Sequence, residues 1–121
     1  DIVMSDNGSE ALDFTYIDDL VDGISNCIGN KNAFNQIFNL TYGGACSVAE
    51  MAEIVKQHFP RVNLRNVDRD KLMPKRGTLN VDKARDLINY NPSWPLRKGY
   101  PKYIDWYKKF ADSKPDLFNK K

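Results

Sequence analysis

The sequence is poor in the residues that build self-contained reactive centres. Its 121 residues include two cysteines, Cys27 and Cys46, and a single histidine, His58. One cysteine pair is no disulfide framework in a chain of this length, so a reducing, cytoplasmic setting is expected. No Cys or His pair has the spacing of metal ligands. His58, beside Phe59 at the end of a helical pattern, reads as a residue that favours the helix dipole. That leaves no serine or cysteine with a base partner for nucleophilic catalysis. No apolar run approaches the roughly 18 residues of a membrane-crossing helix, and no basic-then-apolar leader opens the chain. Without such a leader, the sequon matches Asn7-Gly8-Ser9 and Asn39-Leu40-Thr41 read as chance. Gly-x-Gly-x-x-Gly, Gly-x-x-Gly-x-x-Gly, the Walker loop and Tyr-x-x-x-Lys are all absent from the 121 residues. These residues therefore hold neither a dinucleotide fingerprint nor a complete active site.

What is present is the composition of a soluble globular domain, 41% hydrophobic and 28% charged. A single domain over residues 1–121 is expected, burying roughly 65% of the surface of its unfolded chain. The chain opens on Asp1 rather than Met and is expected to continue a longer polypeptide. The net charge of +2 hides an asymmetry: residues 1–60 hold two bases, Lys31 and Lys56, against nine acids, and residues 61–121 hold sixteen bases against seven acids. Either the halves fold against each other and their fields cancel, or the basic half meets an anion, a phosphate-bearing ligand or nucleic acid.

Hydrophobic spacing predicts an α+β lobe of short strands and about four helices. Residues 1–12 are polar and turn-rich around Asp6-Asn7-Gly8. Asp13–Ile17 and Gln36–Leu40 read as short strands, and Val62–Leu64 as a third candidate. Asp18 is the expected N-cap of a helix whose apolar face is Leu20, Val21, Ile24, Cys27 and Ile28, ended by Gly29-Asn30. Cys27 is then a buried thiol, and Cys46 sits in a polar loop. Ser47-Val48-Ala49-Glu50 spells a capping box for a helix carrying Val48, Met51, Ala52, Val55 and Phe59, stopped by Pro60. Asn80 is the expected N-cap of a short helix through Ile88. A last helix runs from about Pro95 to Phe110 with Tyr100, Tyr103, Ile104, Tyr107 and Phe110 on one face; Pro101 should kink its first turn or delay its start. From about residue 112 the tail is polar and is expected to fray.

Two charged groups are candidates for chemistry. The acidic cluster Asp13, Asp18, Asp19 and Asp22 is explained by helix capping and a solvated helix face better than by catalysis. The basic stretch Arg61, Arg65, Arg69, Lys71, Lys75 and Arg76 lies in an irregular segment with Pro74 and Gly77. It offers guanidinium forks suited to phosphate.

Residues 6–24 resemble the G-x-x-x-R-D-F-T-Y-V-D-D-V-V-x-x-I segment of NAD-dependent nucleotide-sugar epimerases and dehydratases, the UDP-glucose 4-epimerase-like enzymes of the extended short-chain dehydrogenase/reductase family. Further likenesses follow in family order. Phe38-Asn39-Leu40 with Gly43-Gly44 is similar to F-N-x-G, and Ser47–Met51 to S-V-x-E-L. Asn80–Ala84 is similar to A-D-x-S-K-A, Leu87–Pro92 to L-G-Y-x-P, and Leu96–Tyr107 to the L-x-x-G-L…W-Y stretch. The resemblance covers residues 1 to about 110. It implies the C-terminal substrate-binding lobe of an extended Rossmann-type enzyme, the lobe that closes over a nucleotide-diphosphate sugar. The Rossmann domain, with its NAD or NADP and its catalytic Tyr-x-x-x-Lys, would lie upstream, and no cofactor is expected on this chain.

The family arginine before Asp-Phe, which contacts the substrate pyrophosphate, is Leu12 here. A second family arginine is matched best by Arg76, with Lys75 its neighbour; these two are the expected substrate-binding residues. The resemblance also implies that the face normally covered by the Rossmann domain is open, so self-association is expected. Two other readings stand beside this one. The chain could be a protein-interaction domain, its aromatic last helix facing a partner. It could instead be a nucleic-acid-binding module, against which the interleaved Asp68, Asp70, Asp82 and Asp86 argue. Binding to nucleic acid or membrane is not expected.

Overall fold

The computed structural model describes residues 1–118. In chain order its elements are β1 (Ile2–Ser5), β2 (Ala11–Leu12), α1 (Ile17–Cys27), β3 (Cys46–Ser47), α2 (Val48–His58), β4 (Leu64–Val67), α3 (Asp82–Ile88), α4 (Leu96–Ser113) and α5 (Pro115–Phe118). Single 3-10 turns occupy residues 6–8 and 31–33. The strands form two small pairs: β1 parallel to β4, with Ile2 opposite Leu64, and β2 antiparallel to β3, with Leu12 opposite Cys46. Helices carry the bulk of the molecule, as expected of an α+β lobe.

Two apolar clusters organise the packing. Val81, Ala84, Ile88 and Tyr90 form one between α1 and α3, joined by Cys27, Phe38 and Leu40. Ile54, Leu96 and Ile104 form the other between α2 and α4, joined by Phe14, Cys46 and Met51. The capping box at α2 has both of its arms: Ser47 Oγ accepts from the Glu50 N–H at 3.1 Å, and Glu50 Oε2 accepts from the Ser47 N–H at 3.1 Å. The Ser47 N–H, and after it Arg97, hold the Glu50 carboxyl below its ordinary pKa.

Several expectations change in the structure. Residues 1–12 contain β1, whose partner lies 62 positions away in the chain. Asp13–Ile17 is not a strand; only Ala11–Leu12 pairs, and Ile17 already begins α1. Asp18 does not cap α1, since Tyr16 occupies the N-cap position with no side-chain bond, and Asp18 instead meets Lys102 at 3.7 Å. Residues 36–40 form no ladder, and Ile37 is 87% exposed. Without a partner for its backbone groups, an apolar run has no sheet to join. Cys46 lies on β3 against the second cluster, not in a polar loop, and desolvation raises its thiol pKa. Asn80 accepts from the Asp82 N–H at 2.8 Å as a turn residue, and Val81 is the N-cap of α3. Pro101 does not delay α4, which begins at Leu96 and runs through it. Helix continues past residue 112, to Ser113 and then α5.

The largest departure concerns α1. Of its expected apolar face, Leu20 and Cys27 are half-buried, but Val21, Ile24 and the C-cap Ile28 are about half exposed or more, as is Ile17, reaching 79% at Ile28. The helix turns Asp19 and Gly23 inward instead. Gly23 is required there, because a Cβ would lie 2.9 Å from the Tyr90 ring.

Tyr90 is fully buried and donates its hydroxyl to the Thr41 carbonyl at 2.9 Å. Burial, reinforced by the charges of Asp19 and Asp13, pushes its phenol from 10.0 up to about 12. Ionisation is thus harder in the folded chain than in the unfolded one. The associated stability is complete below pH 10 and is lost as pH rises through about 12. Urea midpoints measured along an alkaline series should fall in that window, and Tyr90→Phe should flatten the fall. An unchanged alkaline slope in Tyr90→Phe would assign the dependence to other groups.

Candidate functional site

The turn after β1 is a rigid piece of backbone. Asp6 and Asn7 adopt left-handed conformations, φ 48° and 53°, and Gly8 follows at φ 70°. The Asn7 N–H donates to Asn66 Oδ1 at 2.6 Å, which ties the turn to β4. Ser9 Oγ donates to Asp6 Oδ2 at 2.7 Å, and the Glu10 carbonyl accepts from the Val48 N–H at 2.9 Å. The turn is thereby fixed against the N-terminus of α2.

Asp13 anchors the opposite wall. Its Oδ1 accepts from the Gly43 N–H at 3.3 Å, and its Oδ2 accepts from Thr78 Oγ1 at 2.7 Å and the Leu79 N–H at 3.3 Å. The end of the basic segment is thus pinned to the start of the D-F-T-Y motif across 65 residues. Arg69 shapes the preceding turn by donating from Nη2 to the carbonyls of Met73 at 3.1 Å and Pro74 at 3.0 Å.

Between these walls lies a cavity of about 290 Å³ lined by Asp6, Ser9, Glu10, Ala11, Arg69, Lys75 and Arg76. Three of the six bases singled out in the sequence meet here; Arg61, Arg65 and Lys71 do not line it. Arg76 Nε stands 3.8 Å from Glu10 Oε1, and Arg69 Nη1 stands 3.9 Å from Glu10 Oε2, ion pairs too long for hydrogen bonds. The Arg76 side chain is 63% exposed and can turn toward a ligand. Sequence reasoning did not single out Glu10. Nothing local distinguishes it from a solvated acid, and only the turn at Gly8 brings it to Arg69 and Arg76. The acidic cluster disperses: Asp13 holds the basic segment, Asp18 pairs with Lys102, and the buried Asp19 accepts from the N–H groups of Ser93 and Trp94 at 2.8 and 3.0 Å.

A second, apolar cleft of about 260 Å³ lies between residues 14–17 and α4, beside Trp94 and Tyr100. Its lining holds no carboxylate, imidazole or ammonium group; its polar side chains are the hydroxyl of Thr15, the phenols of Tyr16, Tyr100 and Tyr103 and the indole of Trp94. Among the described residues, no group of three or more His, Cys, Asp or Glu side chains is placed to hold a metal ion, and no helix is long and apolar enough to cross a membrane. A nicotinamide dinucleotide sits where a strand passes through a glycine-rich turn into a helix N-terminus. The glycine turn after β1 does not make that arrangement, because it leads through Gly8 into β2.

The fold matches part of an extended Rossmann-fold epimerase, and the curated proteins and solved structures that the chain resembles are NAD-dependent enzymes of the extended short-chain dehydrogenase/reductase type. Among curated proteins the chain is 29% identical over 117 residues to UDP-glucuronate 4-epimerase 1 of Arabidopsis thaliana, covering 80% of this chain and 26% of that protein. It is 25% identical to dTDP-L-rhamnose 4-epimerase of Burkholderia thailandensis, covering 93% of this chain and 31% of that protein. Among solved structures, an epimerase from Methanothermobacter thermautotrophicus superposes with a TM-score of 0.80 at 26% identity, covering 95% of this chain and 34% of that one. The chain thus spans about a quarter to a third of the length of these relatives. No protein-family model matches it.

Proposed function

We propose that this chain is the substrate-binding lobe of an NAD-dependent nucleotide-sugar epimerase, dehydratase or decarboxylase, and that it closes over the nucleotide-diphosphate sugar while a Rossmann domain elsewhere in the polypeptide supplies cofactor and catalytic groups. The observation that carries this reading is the meeting of Lys75, Arg76 and Arg69 in one cavity against the rigid 6–10 turn. Lys75 and Arg76 bind the diphosphate by charge-assisted hydrogen bonds. With Leu12 half-buried opposite Cys46, the cation of the family arginine is absent from that position, and Arg69 provides the third positive charge in the cavity.

The uncovered stripe of α1 supports the same reading. Ile17, Val21, Ile24 and Ile28 recur at helical spacing with Phe34 and Ile37 also exposed, the pattern of a face made to be covered. The Rossmann domain is its proposed cover, and self-association of the isolated chain is the expected consequence of leaving it bare. The setting is cytoplasmic, and neither nucleic acid nor membrane is a partner.

The test is binding and turnover of UDP-sugars by the native polypeptide that carries this chain. Arg76→Ala should weaken binding by roughly 10- to 100-fold, the worth of a hydrogen bond to a charged group, and binding should weaken with salt. The 121-residue chain alone should show no turnover. Unchanged affinity in Arg76→Ala, or turnover by the chain alone, would overturn the assignment.

A further inference from the structure

Glu10 is out of place in a cavity for a bare anion. Its side chain is only 13% exposed. Its Oε1 is buried and accepts no hydrogen bond among the described residues. The two guanidinium groups beside it stop at 3.8 and 3.9 Å. Arg69 is held there by Nη2, which donates to the carbonyls of Met73 and Pro74. A buried carboxylate oxygen with no hydrogen-bond donor is an acceptor in want of one. The other acid of the cavity is already engaged, since Asp6 accepts from Ser9 Oγ. The cavity therefore presents exposed cations, Lys75 and Arg76, next to one largely buried acceptor without a hydrogen bond.

We infer that Glu10 is a specificity-determining residue: it accepts a hydrogen bond from a hydroxyl of the ligand whose diphosphate Lys75 and Arg76 hold. The inference rests on the diphosphate reading of the cavity. It narrows the ligand to a diphosphate bearing a hydroxylated sugar close to the phosphate, and it sets Glu10 against bare inorganic anions, which its charge repels across a few ångströms.

The consequence is a pair of opposite effects from one substitution. The probes are inorganic pyrophosphate, which has no sugar, and UDP, titrated calorimetrically into the native polypeptide that carries this chain. Glu10→Met keeps the length of the side chain and removes both charge and acceptor. It should tighten pyrophosphate binding several-fold and reduce the preference for UDP over pyrophosphate by about 10-fold. Glu10→Gln, which keeps a carbonyl acceptor, should also tighten pyrophosphate but retain more of the UDP preference. It remains informative if the methionine variant folds poorly. Contacts of the uracil base cancel, because the comparison is between variants of one ratio.

A UDP-to-pyrophosphate ratio that is the same in wild type and Glu10→Met would overturn the role of Glu10. Equal weakening of both ligands would also overturn it, by showing that Glu10 merely positions Arg76. Failure of the underlying site looks different: no saturable response to either probe at about 10 mM, the range of binding weaker than about 3 kcal/mol, or a response that Arg76→Ala leaves unchanged.

Discussion

Asp19→Ala is expected to cost about 3 kcal/mol of folding stability, the joint loss of two hydrogen bonds to a charged acceptor. Asp19 is 2% exposed and stands in the first turn of α1. Its two carboxylate oxygens accept separately from the Ser93 N–H at 2.8 Å and the Trp94 N–H at 3.0 Å. These bonds fasten the loop that leads from α3 into α4. The alanine variant leaves both donors without their acceptor. Ser93 is exposed and its amide can recover water, which keeps the expected loss near the lower end of the range for two such bonds. Asp19→Asn should lose about half as much, because the amide offers one acceptor and turns a donor toward the other N–H. Trp94 should loosen as well. Its ring lies 4.9 Å from that of Tyr16 and carries the ammonium groups of Lys98 and Lys102 at 4.0 and 4.2 Å. Urea denaturation gives the stability and near-ultraviolet circular dichroism reports the ring. A loss under about 1 kcal/mol, with an unchanged aromatic spectrum, would mean that the loop is held by its apolar contacts alone.

Local signals were sufficient for some elements and misleading for others, and the division follows the distance of the deciding partner. Ser47, Glu50 and Pro60 mark both ends of α2 because a capping box and a helix stop act within a few residues. Asp13, Asp18 and Asp19 looked alike as acids near a helix start. Their roles are set by Thr78, Lys102 and Ser93, which lie far along the chain. β1 was obscured by its polar neighbours because its ladder is made with residues 64–67. The apolar periodicity of α1 correctly announced a helix, but of the expected inward face Leu20 and Cys27 are half-buried while Val21, Ile24 and Ile28 are exposed. Periodicity identifies an apolar stripe, and only the rest of the fold determines what covers it. Gln36–Leu40 shows the same limit, an apolar run with no ladder among the described residues. In the candidate site, the basic stretch was legible as side chains suited to phosphate on an irregular segment, and the family resemblance singled out Lys75 and Arg76 within it. Their placement opposite Glu10 depends on the Asp13 anchor and the Gly8 turn, neither of which announces itself by spacing.

The Gly8 turn is therefore where fold and site are tested together. Gly8→Ala is expected to destabilise the chain by about 3 kcal/mol, by two separable causes. Gly8 sits at φ +70°, where a non-glycine residue pays about 1 kcal/mol or more. A Cβ there would also lie 2.7 Å from the Ala49 backbone nitrogen and 3.0 Å from its Cα. Because the obstacle is backbone at the head of α2, neither side yields cheaply, and overpacking of this kind costs about 1–3 kcal/mol. Gly8→Asn separates the two causes: asparagine tolerates the left-handed conformation, yet its Cβ meets the same atoms, so it should rescue only the smaller part. Asn7→Gly, at φ 53° and with no side-chain hydrogen bond among the described residues, should be close to neutral. The functional consequence is larger than the stability loss suggests. Moving the turn away from α2 carries Asp6, Ser9 and Glu10 with it and opens the cavity on the side facing Arg69 and Arg76. UDP binding should then fall even under conditions where the variant remains folded, because the hydroxyl acceptor Glu10 is displaced while Lys75 and Arg76 are still present. Equilibrium unfolding and UDP titration on the same samples decide the matter: a stable Gly8→Ala variant with unaltered binding would show that the turn neither packs on α2 nor forms the wall of the site.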